Sequence, residues 1–251
     1  MQRFHNKTIL ITGGTSGIGL ATAEAFLQEG AQVLFTGRYA DTVHETAHRL
    51  GSGATGIVSD ASRKEAAAHL AEKVRSLTPQ LDVLFLNAGY GKFAPLEAVS
   101  EDLMEELFQL HVKGPLFTLQ ALLPLMPAGS AVILNTSVVT RYGMAGSSVY
   151  AAAKSAAASL VQNAAAELAG RGIRINAVSP GYTETSIFRK TGMTDEQIEG
   201  AIASVLPTLP FGRFARPEEI ARAVCFLASG DASYVHGTEL VVDGGYSAIR
   251  K

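Results

Sequence analysis

The sequence predicts a doubly wound α/β fold: one parallel sheet of about seven strands with helices on both faces, in a single domain covering residues 1–251. Three observations carry this. Short apolar runs alternate with helix-period segments along the whole chain, a glycine-rich turn joins the first run to the first helix, and no linker, repeat or composition shift divides the 251 residues.

The apolar runs are TILIT at 8–12, QVLFT at 32–36, TGIVS at 55–59, DVLFLN at 82–87, AVILN at 131–135, IRINAV at 173–178 and ELVVD at 239–243. Parallel strands are covered on both faces and read as near-continuous apolar stretches of this kind. Between them, LATAEAFLQEG (20–30), SRKEAAAHLAEKVRSL (62–77) and PEEIARAVCFLAS (217–229) have the length and period of crossover helices. The last opens on Pro217 and two glutamates, a preset φ followed by charge that suits a helix N-terminus. The stretch 182–212, YTETSIFRKTGMTDEQIEGAIASVLPTLPFG, loses strand periodicity and is expected to form a substrate lid with one or two short helices, its Ile187 and Phe188 joining the loops near Tyr90 to Phe93 and Val138 to Met144 in the wall of a partly apolar substrate pocket.

Composition narrows the partners. Twenty-one basic residues face 23 acidic ones with no basic run, so neither nucleic acid nor an anionic membrane finds an electrostatic footprint, and a small-molecule substrate is expected. The start, MQRFHNKTILITGG, passes from a polar lead into strand residues, and no apolar run is long enough to span a bilayer; the expected location is the cytoplasm. Cys225 is the only cysteine, so no internal disulfide can form; within IARAVCFLA it reads as core packing rather than as a nucleophile. No metal is expected.

The first strand runs into TGGTSGIG (12–19), and the helix LATAEAFLQEG follows directly. Glycines permit the turn and let backbone approach a ligand closely, while the helix start offers free N–H groups and a positive dipole end to a pyrophosphate. Gly13, Gly17 and Gly19 are the expected contact points, with Thr15, Ser16 and Ile18 between them; an ordinary glycine-rich βα turn is the alternative. At the end of the second strand an acid would hold the ribose 2′-hydroxyl of NAD(H). Here FTGR puts Gly37 in place of that acid and adds Arg38, whose guanidinium suits a 2′-phosphate, so NADP(H) is preferred over NAD(H) unless Arg38 is merely a solvated loop charge.

In SVYAAAKSAAASL (148–160), Tyr150 and Lys154 stand one helical turn apart on the same face. A free phenol has a pKa near 10. A fixed ammonium nearby favours the phenolate, so the lysine is expected to tune the tyrosine as an acid/base. Ser137, in AVILNTS, follows the fifth strand at its carboxyl end, the edge at which this architecture binds ligands, and could hydrogen-bond the oxygen that Tyr150 protonates. An exposed helix pair beside a surface serine is the bland alternative.

With TGGTSGIG, Asp60-Ala61, Asn87-Ala88-Gly89, Ser137, the YAAAK run (150–154), SPGYTET (179–185) and VVDGG (241–245) in this order, the chain resembles the short-chain dehydrogenase/reductase family over essentially its full length. The resemblance implies a Rossmann-type fold and hydride transfer between a nicotinamide and a carbonyl or secondary alcohol, as in carbonyl reductases and alcohol dehydrogenases. It places Asp60 and Ala61 beside the adenine and Asn87, Ala88 and Gly89 along the middle of the cofactor. Pro180, Gly181, Thr183 and Thr185 fall near the nicotinamide. Tyr150 becomes the acid/base, Ser137 the carbonyl-orienting group and Lys154 a ligand of the nicotinamide ribose as well. It also implies a homotetramer joined through the helices at 100–126 and 149–170.

One position departs from the family pattern. His111, in LHVKGP, stands where the family usually carries the asparagine of its proton relay. Pro115 has no N–H, so in a continuous helix the carbonyl of residue 111 loses its i+4 donor and can hold a water. Preserving the relay, titrating near neutrality and filling space are three open readings of the histidine. The departure also leaves room for a nucleotide-binding sensor or scaffold without turnover. Serine, tyrosine and lysine are shared with sugar-nucleotide epimerases, although no separate C-terminal substrate domain is evident.

Overall fold

A computed structural model of the chain describes residues 2–185 and 194–249. All seven apolar runs are strands: β1 (Thr8–Ile11), β2 (Gln32–Gly37), β3 (Ala54–Val58), β4 (Val83–Leu86), β5 (Ala131–Asn135), β6 (Arg174–Pro180) and β7 (Glu239–Val242). They form one parallel sheet in the order β3-β2-β1-β4-β5-β6-β7. The connecting helices are α1 (Gly17–Gln28), α2 (Ala40–Leu50), α3 (Lys64–Leu77), α4 (Glu101–Phe108), α5 (Gly114–Leu122), α6 (Ser148–Leu168), α7 (Asp195–Val205) and α8 (Pro217–Ala228).

Alternation along the strands explains the two-sided winding. Leu10, Leu34, Leu84, Val132 and Leu134 point to one face, where α3, α5 and α6 supply Leu70, Val74, Leu119, Leu122, Val161 and Leu168. Ile9, Ile11, Phe35, Phe85 and Ile133 point to the other, against Ala23 and Phe26 of α1 and Ile220, Val224 and Cys225 of α8. Side chains of period two thus meet helices on both sides, which a strand buried on both faces requires. Cys225 is 1% exposed, as core packing demands.

The chain winds outward from β1 to β3, then returns to place β4 on the other side of β1. That reversal opens a crevice at the carboxyl ends of β1 and β4, the position at which such sheets take their ligands. The turns after β1, β2, β4, β5 and β6 all reach it.

Between α4 and α5 the helix widens into a π-turn, Gln109–Lys113, and the N–H of Gly114 reaches the carbonyl of Gln109 five residues back. This corrects the premise of a continuous α-helix from which Pro115 would free the carbonyl of His111. The extra residue is inserted ahead of the proline and turns the His111 ring inward, leaving it 2% exposed. Of the expected lid, 182–185 and 194–212 are described and include α7; Ile187 and Phe188, expected on its apolar wall, lie outside the described residues.

Candidate active site

Two cavities adjoin at the carboxyl edge of the sheet. The first is lined by Gly13, Thr15, Ser16, Gly17, Ile18 and Arg38, and further round by Asp60, Ala61, Asn87, Ala88, Gly89 and Thr185, all of them predicted from sequence. The second holds His111, Ser137, Tyr150 and Lys154 together with Pro180, Gly181 and Thr183. Ile18, Asn87, Gly89, Tyr90, Asn135 and Thr185 belong to both walls, so the two are parts of one cleft.

The glycine turn is built for close approach. Gly13 and Gly17 take φ of +69° and +54°, a region that other residues enter at a cost. Gly19 differs from its expected role: it lines neither cavity. A Cβ there would lie 2.2 Å from the Gly13 carbonyl oxygen and 2.6 Å from Asn87 Nδ2. Gly19 therefore lets α1 press against the turn from behind. Asn87 ties the turn to β4 and β5, donating from Nδ2 to the carbonyls of Thr12 and Gly13 at 3.1 Å each and accepting from Asn135 Nδ2 at 2.9 Å. Thr12, which sequence reasoning missed, accepts through Oγ1 from the N–H groups of Asn87 and Ala88 at 2.9 and 3.1 Å.

A dinucleotide fits these residues. The first turn of α1 carries no acid and takes no side-chain cap, leaving its positive end for a phosphate. At Gly37 a Cβ would meet Thr15 Cγ2 at 2.6 Å and Val43 Cγ2 at 2.7 Å, so the backbone leaves little room for an acid at that position. Arg38 lines the cavity just beyond, its guanidinium 5.4 Å from the ring centre of Tyr39 and 5.6 Å from that of Tyr90.

Tyr150 and Lys154 do meet in one cleft, from successive turns of α6. The Tyr150 ring is flanked edge-on by Phe93 and His111, at centroid distances of 5.6 and 5.4 Å. Burial pushes its phenol up to about 12, with a hydrogen bond to Ser137 acting in the opposite direction. Burial also pulls the Lys154 ammonium down to about 7. Lys154 Nζ donates to the Asn135 carbonyl at 2.8 Å and lies 5.8 Å from the Tyr150 ring centre. The expected tuning of phenol by ammonium is therefore outweighed here by desolvation, which disfavours the charged form of both groups.

His111 Nε2 pairs with the Tyr90 carbonyl at 2.9 Å. Burial and the Lys154 charge hold its pKa well below the ordinary imidazole value, which favours the neutral ring. Its Cε1 would stand 2.6 Å from any Cβ at Gly89, which shows the ring filling the space beside that glycine.

The remaining wall comprises Phe93, Val138, Val139, Tyr142, Met144 and Tyr182. Tyr246 packs edge-on against both Tyr142 and Tyr182, at 5.2 and 5.4 Å, and stiffens that side. Among the described residues there is no group of acidic, histidine or cysteine side chains that could hold a metal, and no helix long and apolar enough to cross a membrane.

A fold wound in this way, with a glycine cradle beside a serine, tyrosine and lysine in one cleft, defines a nicotinamide-dependent oxidoreductase. A family model described as enoyl-(acyl carrier protein) reductase matches residues 13–247. The 3-oxoacyl-[acyl-carrier-protein] reductase of Thermotoga maritima is 36% identical over 249 residues, covering 97% of this chain and 99% of its own. Cis-4-hydroxycyclohexanecarboxylate dehydrogenase of Sinomonas cyclohexanicum is 36% identical over 257 residues, 99% of each chain. A short-chain dehydrogenase of Burkholderia cenocepacia J2315 solved in complex with NADP superposes with a TM-score of 0.89 at 28% identity, covering 98% of this chain and 100% of its own. The chain belongs to the short-chain dehydrogenase/reductase family of Rossmann-fold oxidoreductases.

Proposed function

We propose that the protein is an NADP(H)-dependent oxidoreductase that interconverts a compact, largely apolar ketone and its secondary alcohol. The observation that carries this reading is the convergence of Ser137, Tyr150 and Lys154 on a cleft whose other end is the glycine cradle. The bound nicotinamide supplies or accepts the hydride. In reduction, the Tyr150 hydroxyl gives its proton to the carbonyl oxygen as the new C–H bond forms, and the Ser137 hydroxyl donates a hydrogen bond to the same oxygen. At neutral pH the Tyr150 phenol carries its proton, and the Ser137 hydrogen bond acts against the rise that burial imposes, in the direction a proton donor needs. The Lys154 ammonium, fixed by the Asn135 carbonyl, favours the phenolate left behind.

Two features support the substrate class. Apart from Lys154 and His111, the described wall around Tyr150 carries no acidic or basic side chain, and its rings and aliphatic groups suit a neutral, compact body. One relative, by name, acts on a six-membered ring alcohol that also bears a carboxylate; the ring suits such a pocket, while the carboxylate would have to lie toward Lys154 or the open mouth. The preference for NADP(H) rests on Arg38 and on the absence of an acid at Gly37. The described parts of the expected lid, 182–185 and 194–212, support a lid role: Ile202 of α7 lines a further cavity together with Gly17 and Thr185. Homotetramer formation is supported by Met104 and Leu116, exposed on α4 and α5 at 50% and 40%, and is checked by light scattering after gel filtration.

The test is the consumption of NADPH and NADH, followed by absorbance, with cyclic ketones and 3-oxoacyl thioesters. Cyclic ketones should turn over with NADPH, and Tyr150→Phe should lower kcat at least 100-fold while leaving the Kd for NADPH within threefold, on the scale of a lost general acid. NADPH bound tightly with every carbonyl left untouched would establish the sensor reading, and sugar-nucleotide products without net cofactor use would establish the epimerase.

A further inference from the structure

Arg38 makes no ion pair among the described residues, so its charge is available to an anion. Its side chain nevertheless has a defined place, because the guanidinium sits within 6 Å of two aromatic ring centres, Tyr39 on one side and Tyr90 on the other. Arginine carries large rotamer entropy, and a guanidinium held against rings loses less of it when a phosphate arrives.

The two rings are not equivalent. Tyr39 is 65% exposed and stands at the N-cap of α2. Tyr90 is held at three points. Its hydroxyl donates to Glu106 Oε1. Its ring lies 5.8 Å from Lys92 Nζ, which is itself paired with Glu106 Oε2 at 2.6 Å. Its carbonyl is bound by His111 Nε2 at 2.9 Å. Lys92 pairs with Glu106 and weakens the repulsion that the carboxylate anchoring the ring would exert on an anion brought to Arg38. Tyr90 is also on the wall of both cavities. The family's NAG segment would predict none of this, since the ring lies one residue beyond it.

We infer that Tyr90 is a positioning residue for cofactor choice: its anchored ring holds the Arg38 guanidinium where the 2′-phosphate of NADP(H) is received. The inference rests on the reading that Arg38 binds that phosphate. His111 thereby acquires a part in cofactor choice as well, because it fixes the backbone of the residue that carries the ring.

The experiment uses calorimetric titration of the full chain with 2′,5′-ADP and with 5′-AMP, which differ only in the 2′-phosphate and lack the nicotinamide that would reach the substrate end. Arg38→Ala should weaken 2′,5′-ADP at least tenfold and 5′-AMP less than twofold. Tyr90→Leu, which keeps bulk but removes the π face, should weaken 2′,5′-ADP about three- to fivefold, the scale of an exposed cation–π contact, and leave 5′-AMP unchanged. Tyr90→Phe, which keeps the ring, should stay within twofold of wild type for both. In the Arg38→Ala background, Tyr90→Leu should cause no further selective loss. An equal loss of both ligands in Arg38→Ala would overturn the phosphate reading and this inference together. A selective loss in Arg38→Ala, joined to an unselective or fully additive effect of Tyr90→Leu, would overturn the role of Tyr90 alone. Circular dichroism of each variant establishes that it is folded; if Tyr90→Leu is not, Tyr90→Met takes its place with the same expectations.

Discussion

Gly19→Ala and Gly200→Ala make the same chemical change in two helices and should move stability in opposite directions. At Gly19 the added methyl would lie 2.2 Å from the Gly13 carbonyl oxygen, 2.6 Å from Asn87 Nδ2 and 3.0 Å from the Gly13 carbonyl carbon. None of these can retreat cheaply, because Asn87 is tied to Thr12, Gly13 and Asn135 by three hydrogen bonds of 2.9 to 3.1 Å. Overpacking of this kind costs about 1–3 kcal/mol, to which one or two strained hydrogen bonds add about 1 kcal/mol, while helix propensity returns up to about 1 kcal/mol. The net loss is about 2 kcal/mol, which for a chain of this length lowers Tm by roughly 4–8 °C. At Gly200, within α7, the added methyl meets nothing within 4 Å among the described residues. Propensity alone then acts there, raising Tm by roughly 2–4 °C for about 1 kcal/mol. Thermal unfolding of the cofactor-free variants at one protein concentration measures both, and titration with NADPH should show weakened binding for Gly19→Ala alone. If Gly19→Ala proves as well tolerated as Gly200→Ala, or loses stability with its NADPH affinity intact, then α1 is not seated against the cradle through this glycine.

Two further outcomes follow from burial. The Lys154 pKa falls from the ordinary 10.5 to about 7 on folding, so between those values the unfolded chain binds more protons and stability rises with pH, by up to about 1.4 kcal/mol per pH unit. Lys154→Met should abolish that rise between pH 7 and 9 in urea unfolding, and parallel pH dependences in the two proteins would show that the amine is not desolvated. The Cys225 thiol is 1% exposed and pushed up to about 12 by burial; an aromatic disulfide reagent at neutral pH should therefore label it only as the chain unfolds, and labelling of native protein at the rate of a free thiol would place it outside the core.

The strands were legible because each is a short apolar run covered on both faces, and the glycine turn was legible because φ above zero leaves few residue types to choose from. Helix α2 was harder: in ADTVHETAHRL only Val43 and Thr46 are buried, too thin a stripe to stand out. Phe4, within what reads as a polar lead, is in fact buried against Phe26 at 4.8 Å. The π-turn at Gln109–Lys113 has no residue signature, and Pro115 pointed only to a carbonyl short of a donor. Asn135 was missed for a different reason. It acts on Lys154 through its backbone carbonyl, a group that every residue possesses and that only the path of β5 aims at the cleft. Thr12 likewise acts through contacts between segments far apart in sequence, and Tyr90, expected on the pocket wall, makes contacts with Glu106 and His111 that the order of residues alone does not reveal.

The alanines around Tyr150 and Lys154 take on a more specific meaning in the folded chain. Buried positions on α6 are Tyr150, Ala153, Lys154, Ala157, Val161, Ala165 and Leu168, the three- and four-residue spacing of a core-facing stripe. The two polar heads thus occupy its amino-terminal end, where an amphipathic helix would otherwise carry apolar side chains. Ala153 and Ala157 let the helix lie close to its neighbours, and Val161 and Leu168 anchor the far end in the main core. A phenol and an amine can be desolvated at the near end because packing further along holds the helix in place regardless of their charge. The loss is partly offset by the Asn135 carbonyl at 2.8 Å from Lys154 Nζ. Burial makes the site costly and makes it chemically useful for the same reason: with little water between them, Ser137, Tyr150 and Lys154 act on a carbonyl oxygen in a low dielectric, where a single proton or hydrogen bond counts for more than it would on an exposed helix face.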